Sequence, residues 1–349
     1  MLALAFTAVL AAILGFATHR ASVCTVRAVA ELLSSRRGFM LASIVKSILW
    51  ASAVTIPFFL ISMTMPPQAG AWQLSVAAVL GGFVFGVGAA MNGACVYSTM
   101  ARLTDGEGGM FVAVVGFGFG ILGFVALVDA GWLARPTQSL PRIGVLIGWV
   151  AVVVLAAFAL YEATRLWRTR PPDAGPRELV LARQYRLSTA ALLIGVTAGA
   201  IYLIMGPYGY ATTVQQGIEA ALGRRVAPET ARWVLLAAAL FGMLVSTLQR
   251  KSFHLDWRPR PLWLMNFFGG GLMGLGVALA PGGNDSLVLY AIPTLSPHAL
   301  PAYAALALGI AAGLLTIRRL LRIETRVECR NDLYSGVTRR VERDPHTRA

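Results

Sequence analysis

Nine long apolar stretches constrain the fold of this chain more than any other feature of its sequence. They lie near residues 2–18, 39–64, 73–92, 109–129, 142–163, 188–206, 230–248, 261–280 and 299–318. A helix needs about 20 apolar residues to cross a hydrocarbon core of about 30 Å. Because 57% of the 349 residues are hydrophobic and only 13% are charged, an ordinary soluble protein is excluded. We predict an all-α polytopic membrane protein with about nine transmembrane helices.

The formal net charge of +14 comes from arginines that cluster between and after the apolar stretches. One cluster lies in residues 165–186 and the other follows residue 318. Basic residues in short loops stay cytoplasmic, so we predict a multi-pass inner or plasma membrane protein with its N-terminus outside and its C-terminus cytoplasmic. Arg224 and Arg225 fall on the outer side in this scheme and count against it. The charge indicates topology, and no nucleic-acid partner is predicted.

Two glycine-rich segments indicate an internal repeat. Residues 81–90 and 269–278 are identical at five of ten positions, four of them glycine. The segments lie in the third and eighth predicted helices, which cross the membrane in opposite directions, as in inverted repeats. We therefore divide the chain into a first membrane repeat (1–165), a basic cytoplasmic linker (166–187), a second membrane repeat (188–320) and a basic cytoplasmic tail (321–349). The tail is expected to be a solvated anchor on the inner side.

Four partly polar pieces, two of which begin with glycine, are too short to span a membrane and too apolar to be ordinary loops. They are residues 22–34, 93–103, 251–257 and 282–292. Irregular backbone at membrane depth persists only where protein or a water-filled cavity satisfies its polar groups. We predict half-helices or re-entrant segments at these four places, grouped around a central pathway.

The candidate anion site lies where two of these short helices begin, one in each repeat. Asn92 and Gly93 precede one of them, and Gly282, Gly283 and Asn284 precede the other. Helix N-termini present unpaired N–H groups and about half a positive charge. Two N-termini aimed at one spot would hold an anion without a buried side-chain charge.

Glycine pairs spaced four residues apart have a simpler interpretation. Such pairs occur at Gly82 and Gly86, and again in two later helices at residues 195 and 199 and at residues 270 and 274. Small residues at this spacing allow transmembrane helices to pack closely. Taken singly, each of these glycines is better explained by packing than by ligand binding.

Cys24 and Cys95 lie at the start of short segments, among small and hydroxylated neighbours. A buried cysteine is most often a small hydrophobic residue, but a thiol is also a weak donor that could line a path for a soft sulfur anion. The third cysteine, Cys329, lies in the tail, and no disulfide framework, metal site or cofactor is predicted. His254 and Asp285 are ionisable candidates that could carry a proton coupled to anion entry.

These residues resemble the YeeE/YedE family of sulfur-transport proteins, which includes thiosulfate importers. The resemblance rests on residues 20–24, on residues 92–95 after the first glycine-rich helix, and on the second glycine-rich helix at 269–276. It implies an hourglass-shaped path in which thiosulfate passes family cysteines, matched here by Cys24 and Cys95, through transient S–H···S contacts. A third family cysteine is replaced by Gly283.

Three functions stay open at this stage. The first is a permease for a small inorganic sulfur anion, thiosulfate or a relative, without bound ATP because no GxxxxGK[ST] motif occurs. The second is a membrane thiol enzyme or sulfurtransferase, which would need a base to activate a cysteine. The third is a structural subunit whose basic tail recruits a cytoplasmic sulfur-carrier or sulfurtransferase partner. We predict that the chain is not an enzyme.

Overall fold

The computed structural model describes residues 1–62, 71–138, 145–169, 181–330 and 332–340. Within this part of the chain, nine helices or helix pairs are long and apolar enough to cross a membrane. They coincide with the nine apolar stretches, so the prediction of an all-α polytopic membrane protein is confirmed. Residues 63–64 and 142–144 of those stretches, 170–180 of the linker and 341–349 of the tail lie outside the described residues.

The first half of the chain contains α1 (Leu2–Ala21), α2 (Thr25–Ser35), α3 (Phe39–Ser62), α4 (Val76–Asn92), α5 (Val96–Thr104), α6 (Gly108–Asp129) and α7 (Val145–Arg168). The second half contains α8 (Leu187–Met205), α9 (Tyr210–Ala221), α10 (Thr230–Arg250), α11 (Leu262–Leu279), α12 (Asn284–Ser286) with the π-helical turn Leu287–Ala291, and α13 (Ala299–Leu321). Strands β1 (Ile323–Arg330) and β2 (Leu333–Arg340) follow.

The two halves share one order of elements, with α7 between them. In each half a long helix is followed by a short one, two long ones, a second short one and a final long one. Each of these long helices packs on a helix of the other half. Helix α1 packs on α10, and its counterpart α8 packs on α3. In the same way α6 packs on α11, and its counterpart α13 packs on α4. The glycine-rich helices α4 and α11 pack on each other at the centre. This arrangement is typical of inverted repeats.

Three of the four predicted short segments form short helices, namely α2, α5 and α12 with its π-helical turn. The prediction for residues 251–257 was wrong, because this segment is neither helical nor buried. Its backbone bonds instead to the turn after α5, through His254 N to Asp105 O at 2.9 Å and Asp256 N to Gly106 O at 3.1 Å. The sequence analysis also missed the short helix α9.

Close helix packing at the glycine pairs is confirmed. A Cβ atom at Gly86 would lie 2.1 Å from the carbonyl oxygen of Leu306 in α13, and one at Gly274 would lie 2.0 Å from that of Phe117 in α6. These distances are far below van der Waals contact, so the helices approach each other backbone to backbone.

The described part of the C-terminal tail is folded onto the membrane domain instead of lying free in solvent. Strands β1 and β2 form an antiparallel hairpin that packs on α2. Val327 and Cys329 are buried beneath it. The Oγ atom of Ser34 exchanges hydrogen bonds of 3.3 Å with the backbone N–H and C=O of Val327.

Two glycines of α6 test the packing directly. A Cβ atom at Gly120 would lie 1.9 Å from the carbonyl oxygen of Gly271, whereas one at Gly123 has nothing within 4 Å. We expect Gly120→Ala to destabilise the protein by about 2 kcal/mol or more, because α6 and α11 must separate. Gly123→Ala should change stability by less than about 0.5 kcal/mol. Thermal unfolding of the purified variants in detergent measures both, and equal melting temperatures would contradict this packing.

Candidate functional site

Two short helices begin at cysteines. Cys24 is the N-cap of α2 and Cys95 is the N-cap of α5, both with extended backbone. The preceding long helices end in left-handed residues, Ser22 at φ 52° and Gly93 at φ 68°, and these residues redirect the chain toward the next helix. The cysteines are 1% and 0% exposed, so neither side chain faces lipid.

The two thiols are neighbours, and each one also faces backbone N–H groups. The Cys24 thiol interacts with the Cys95 thiol and with the backbone amides of Cys95 and Arg27. The Cys95 thiol lies near the amides of Ser98 and Thr25. The N-termini of α2 and α5 therefore converge on one spot, and both contribute partial positive charge there. The sequence placed Cys24 and Cys95 on one path, but it paired the N-terminus of α5 with that of the second-repeat short helix, whereas the N-terminus beside it here is that of α2.

The second-repeat turn lies next to this point. Gly282 has φ 132°, a conformation that L side chains rarely adopt, and Gly283 is the N-cap of α12. The next residue, Asn284, is buried, and its Oδ1 atom accepts a hydrogen bond of 3.3 Å from the backbone N–H of Val96. The Asn284 side chain therefore caps α5 and not the helix in which it lies.

The neighbouring residue, Asp285, caps the N-terminus of another helix, α9. Its Oδ2 atom accepts a hydrogen bond of 3.0 Å from the backbone N–H of Ala211, in the first turn of α9. Asp285 is fully buried. The short α12 segment thus supplies polar side chains to the N-termini of α5 and α9, so that part of their capacity to bind an anion is already used.

Asn92 holds the turn between α4 and α5. Its Nδ2 atom donates to Ala94 O at 3.2 Å and to Thr99 Oγ1 at 2.9 Å, and its Oδ1 atom accepts from Asn266 Nδ2 at 3.0 Å. With these bonds made, Asn92 positions Cys95. The sequence analysis missed Asn266, although a single amide at the start of a glycine-rich apolar helix was a usable signal.

A cavity of about 530 Å³ reaches the turn at Asn92 and Gly93 from one end of the helix bundle. Four arginines and two acidic residues line it: Arg27, Arg102, Arg260, Arg318, Glu107 and Asp256. Arg102 pairs with Glu107 and Arg260 with Asp256, so the other two arginines leave the lining with a net positive charge, which raises the local concentration of anions. Tyr334 of the hairpin also lines it, with its ring centroid 4.8 Å from the guanidinium carbon of Arg27. We call this space the basic vestibule.

His254 is not brought to the cysteines. It lies exposed in the segment after α10, where its Nδ1 atom is 2.9 Å from the carbonyl oxygen of Ser252. Among the described residues, no group of three or more His, Cys, Asp or Glu side chains could hold a metal ion.

A different histidine forms a buried network that the sequence analysis missed. His19 Nδ1 lies 2.8 Å from Ser246 Oγ, and its Nε2 lies 3.2 Å from Asp105 Oδ1. Asp105 Oδ1 also accepts from Ser252 Oγ at 2.7 Å and Thr247 Oγ1 at 3.0 Å. The network fixes the end of α1, five residues before Cys24, to α10 and to the turn after α5.

The same contacts control the ionisation of Asp105. Partial burial opposes its charge, but the hydrogen bonds from His19, Ser252 and Thr247 outweigh burial and lower its pKa. A carboxyl whose pKa is lowered on folding stabilises the native state above its unfolded pKa, about 3.9. That stability is lost as pH falls through the lower native value.

We therefore expect the melting temperature of the parent protein to exceed that of Asp105→Asn near neutral pH. The difference should shrink as the pH falls below about 4, because the native carboxylate is then protonated. Thermal unfolding of both proteins between pH 7 and pH 3 measures it. A difference that stays constant over this range would contradict the assigned role of the carboxylate.

The fold and site together define a multi-pass membrane protein in which interrupted helices meet around buried polar groups, an arrangement typical of secondary transporters. The profile of the family described as Sulphur transport matches residues 20–312. The match covers most of the chain and includes both cysteines and the Gly282–Gly283 turn. The protein therefore belongs to the Sulphur transport family, and the resemblance drawn from its motifs is confirmed. No curated protein matches the chain.

Proposed function

We propose that the protein is a permease for a small inorganic sulfur anion, thiosulfate or a chemical relative. The observation that carries the proposal is the pair of buried thiols, Cys24 and Cys95, where the N-termini of α2 and α5 converge. Membership of the Sulphur transport family supports sulfur as the transported element.

The geometry suits an ion with one soft end and several oxygens. Backbone N–H groups at helix N-termini would bind oxyanion oxygens, while the polarizable thiols would contact a terminal sulfur through weak S–H donation. Binding of the anion in this way needs no full positive charge. The cation that acts on the Cys24 thiol is Arg27, whose guanidinium already donates to Ser22 O at 3.1 Å. The buried Arg20 is occupied by Ser246 Oγ at 3.0 Å and Gln249 Oε1 at 2.7 Å. An anion held by dipoles and thiols binds weakly enough to leave again.

The basic vestibule would connect this constriction to one side of the membrane. In the proposed topology, with the N-terminus outside, the vestibule and the hairpin that borders it lie on the cytoplasmic side of an inner or plasma membrane. The two arginines that counted against this topology are paired. Arg224 Nη2 lies 2.7 Å from Asp129 Oδ2, and Arg225 Nε lies 3.0 Å from Glu219 Oε2. A paired arginine is a weaker positive-inside signal than a free one.

The two alternatives receive less support. A sulfurtransferase needs a base beside its nucleophile. In the described part of the chain, the Cys24 and Cys95 thiols interact with backbone amides, Arg27, three tyrosine hydroxyls and each other, and no histidine or carboxylate is among these groups. A subunit that recruits a cytoplasmic partner through its tail would present that tail, whereas its hairpin packs on α2.

Replacing Cys95 by serine tests the role of the thiol. Serine keeps nearly the same volume and the N-cap position but removes the sulfur, so we expect uptake of labelled thiosulfate into proteoliposomes to fall about tenfold or more. Gel-filtration profile and melting temperature should stay close to those of the parent. The matched control is Cys329→Ala, which removes the cysteine outside the pathway and should transport normally. Unchanged uptake by Cys95→Ser would show that this thiol only fills space.

A further inference from the structure

Asp285 is a buried carboxyl group without a cationic partner. It is 0% exposed, and its Oδ2 atom accepts from Ala211 N. Its Oδ1 atom has no hydrogen-bond partner among the described residues. The described arginines, lysines and histidines form no ion pair with it.

The groups that face Asp285 come from every neighbouring element and carry no formal charge. They are the hydroxyls of Tyr97 in α5, Tyr208 before α9, Tyr210 in α9 and Tyr290 in the π-helical turn, and the backbone amides of residues 210 and 286. Two titratable groups lie beyond this shell. Cys95 interacts with the far side of Tyr97, and Arg232 acts on Tyr290 while donating to Gln216 Oε1 at 2.7 Å.

The carboxyl also lies where a side chain of residue 283 would lie. A Cβ atom at Gly283 would be 2.8 Å from Asp285 Oδ1. Since the backbone of Gly283 has φ −82°, its conformation would allow any residue type at this position. The space that a side chain would need is occupied by the Asp285 carboxyl. At the position that the resemblance assigns to a third family cysteine, glycine therefore leaves the space of the side chain to an oxygen acid.

Tyr97 connects this carboxyl to Cys95, because its hydroxyl interacts electrostatically with both side chains. Its hydroxyl has no hydrogen-bond partner in the described part of the chain. Two unsatisfied polar groups at this depth are costly unless a ligand or water completes their bonds. Neither residue lines the basic vestibule. Because Tyr97 interacts with Cys95, an anion that reaches Cys95 meets this pair of groups.

We propose that Asp285 binds a proton that crosses the membrane together with the sulfur anion, so that the permease is an anion–proton symporter. This inference rests on the proposed permease function. An ionised carboxylate would repel the incoming anion, whereas a protonated one is neutral and donates a hydrogen bond. The anion in turn favours the protonated form, so that each ligand promotes binding of the other. The proton also reduces the net charge that must enter the low-dielectric constriction.

The test uses the full-length protein in proteoliposomes, with thiosulfate as the probe and a pH-sensitive dye in the lumen. For the parent protein, adding thiosulfate outside should acidify the lumen. An inward proton gradient of one pH unit should raise the accumulation of thiosulfate about tenfold for each coupled proton. Asp285→Asn keeps the oxygen that accepts from Ala211 N but cannot release a proton. It should lose both effects while retaining exchange of labelled for unlabelled thiosulfate. Asp129→Asn, at an exposed carboxylate, should behave like the parent.

Three results would overturn the inference. The first is lumen acidification by Asp285→Asn equal to that of the parent, because the substrate itself would then carry the proton. The second is accumulation that follows a sodium gradient and ignores pH. The third is thiosulfate uptake by the parent protein without acidification of the lumen. This result needs no variant, so it tests the inference even if Asp285→Asn does not fold. If the parent takes up no sulfur anion at all, the proposed function fails, and the inference that rests on it fails as well.

Discussion

Broken helices inside a membrane must find partners for the backbone N–H groups that they leave free, because hydrocarbon offers none. Here the partners come from far along the chain. Asn284 accepts from the first amide of α5, and Asp285 accepts from the first turn of α9. At the junction of α2 and α5 the neighbours of the remaining amides are the thiols of Cys24 and Cys95. This is the place where incomplete hydrogen bonding and polarizable sulfur coincide.

Close packing around the centre makes this junction possible. The long helices approach to backbone contact through glycine in both halves, at Gly82 and Gly86 on α13 and at Gly270 and Gly274 on α6. Glycines also bring α4 and α11 into backbone contact. The two halves therefore form one rigid frame around the short helices. The frame excludes lipid from the thiols, and it leaves open the basic vestibule on one side.

Hydropathy and length were sufficient to predict the nine spans and three of the short helices, because both signals are local. The short helix α9 was missed because the apolar stretch ends at residue 206 and the more polar residues of α9 give no hydropathy signal. The segment 251–257 was misassigned because its composition resembles that of a half-helix, while its backbone is satisfied by the turn after α5. The caps from Asn284 and Asp285 join residues 188 and 74 positions apart, and local sequence patterns contain no such information. The contact between Cys24 and Cys95 also joins distant residues, and only the family resemblance had placed both on one path.

A structure of the protein determined with bound thiosulfate, with sulfur located by anomalous scattering, tests the central claim most directly. We expect one thiosulfate in the membrane interior, with its terminal sulfur within about 4 Å of the Cys24 and Cys95 Sγ atoms. Its oxygens should face the first amides of α2 and α5. An ion found only in the basic vestibule, or thiols that point toward lipid, would contradict the account.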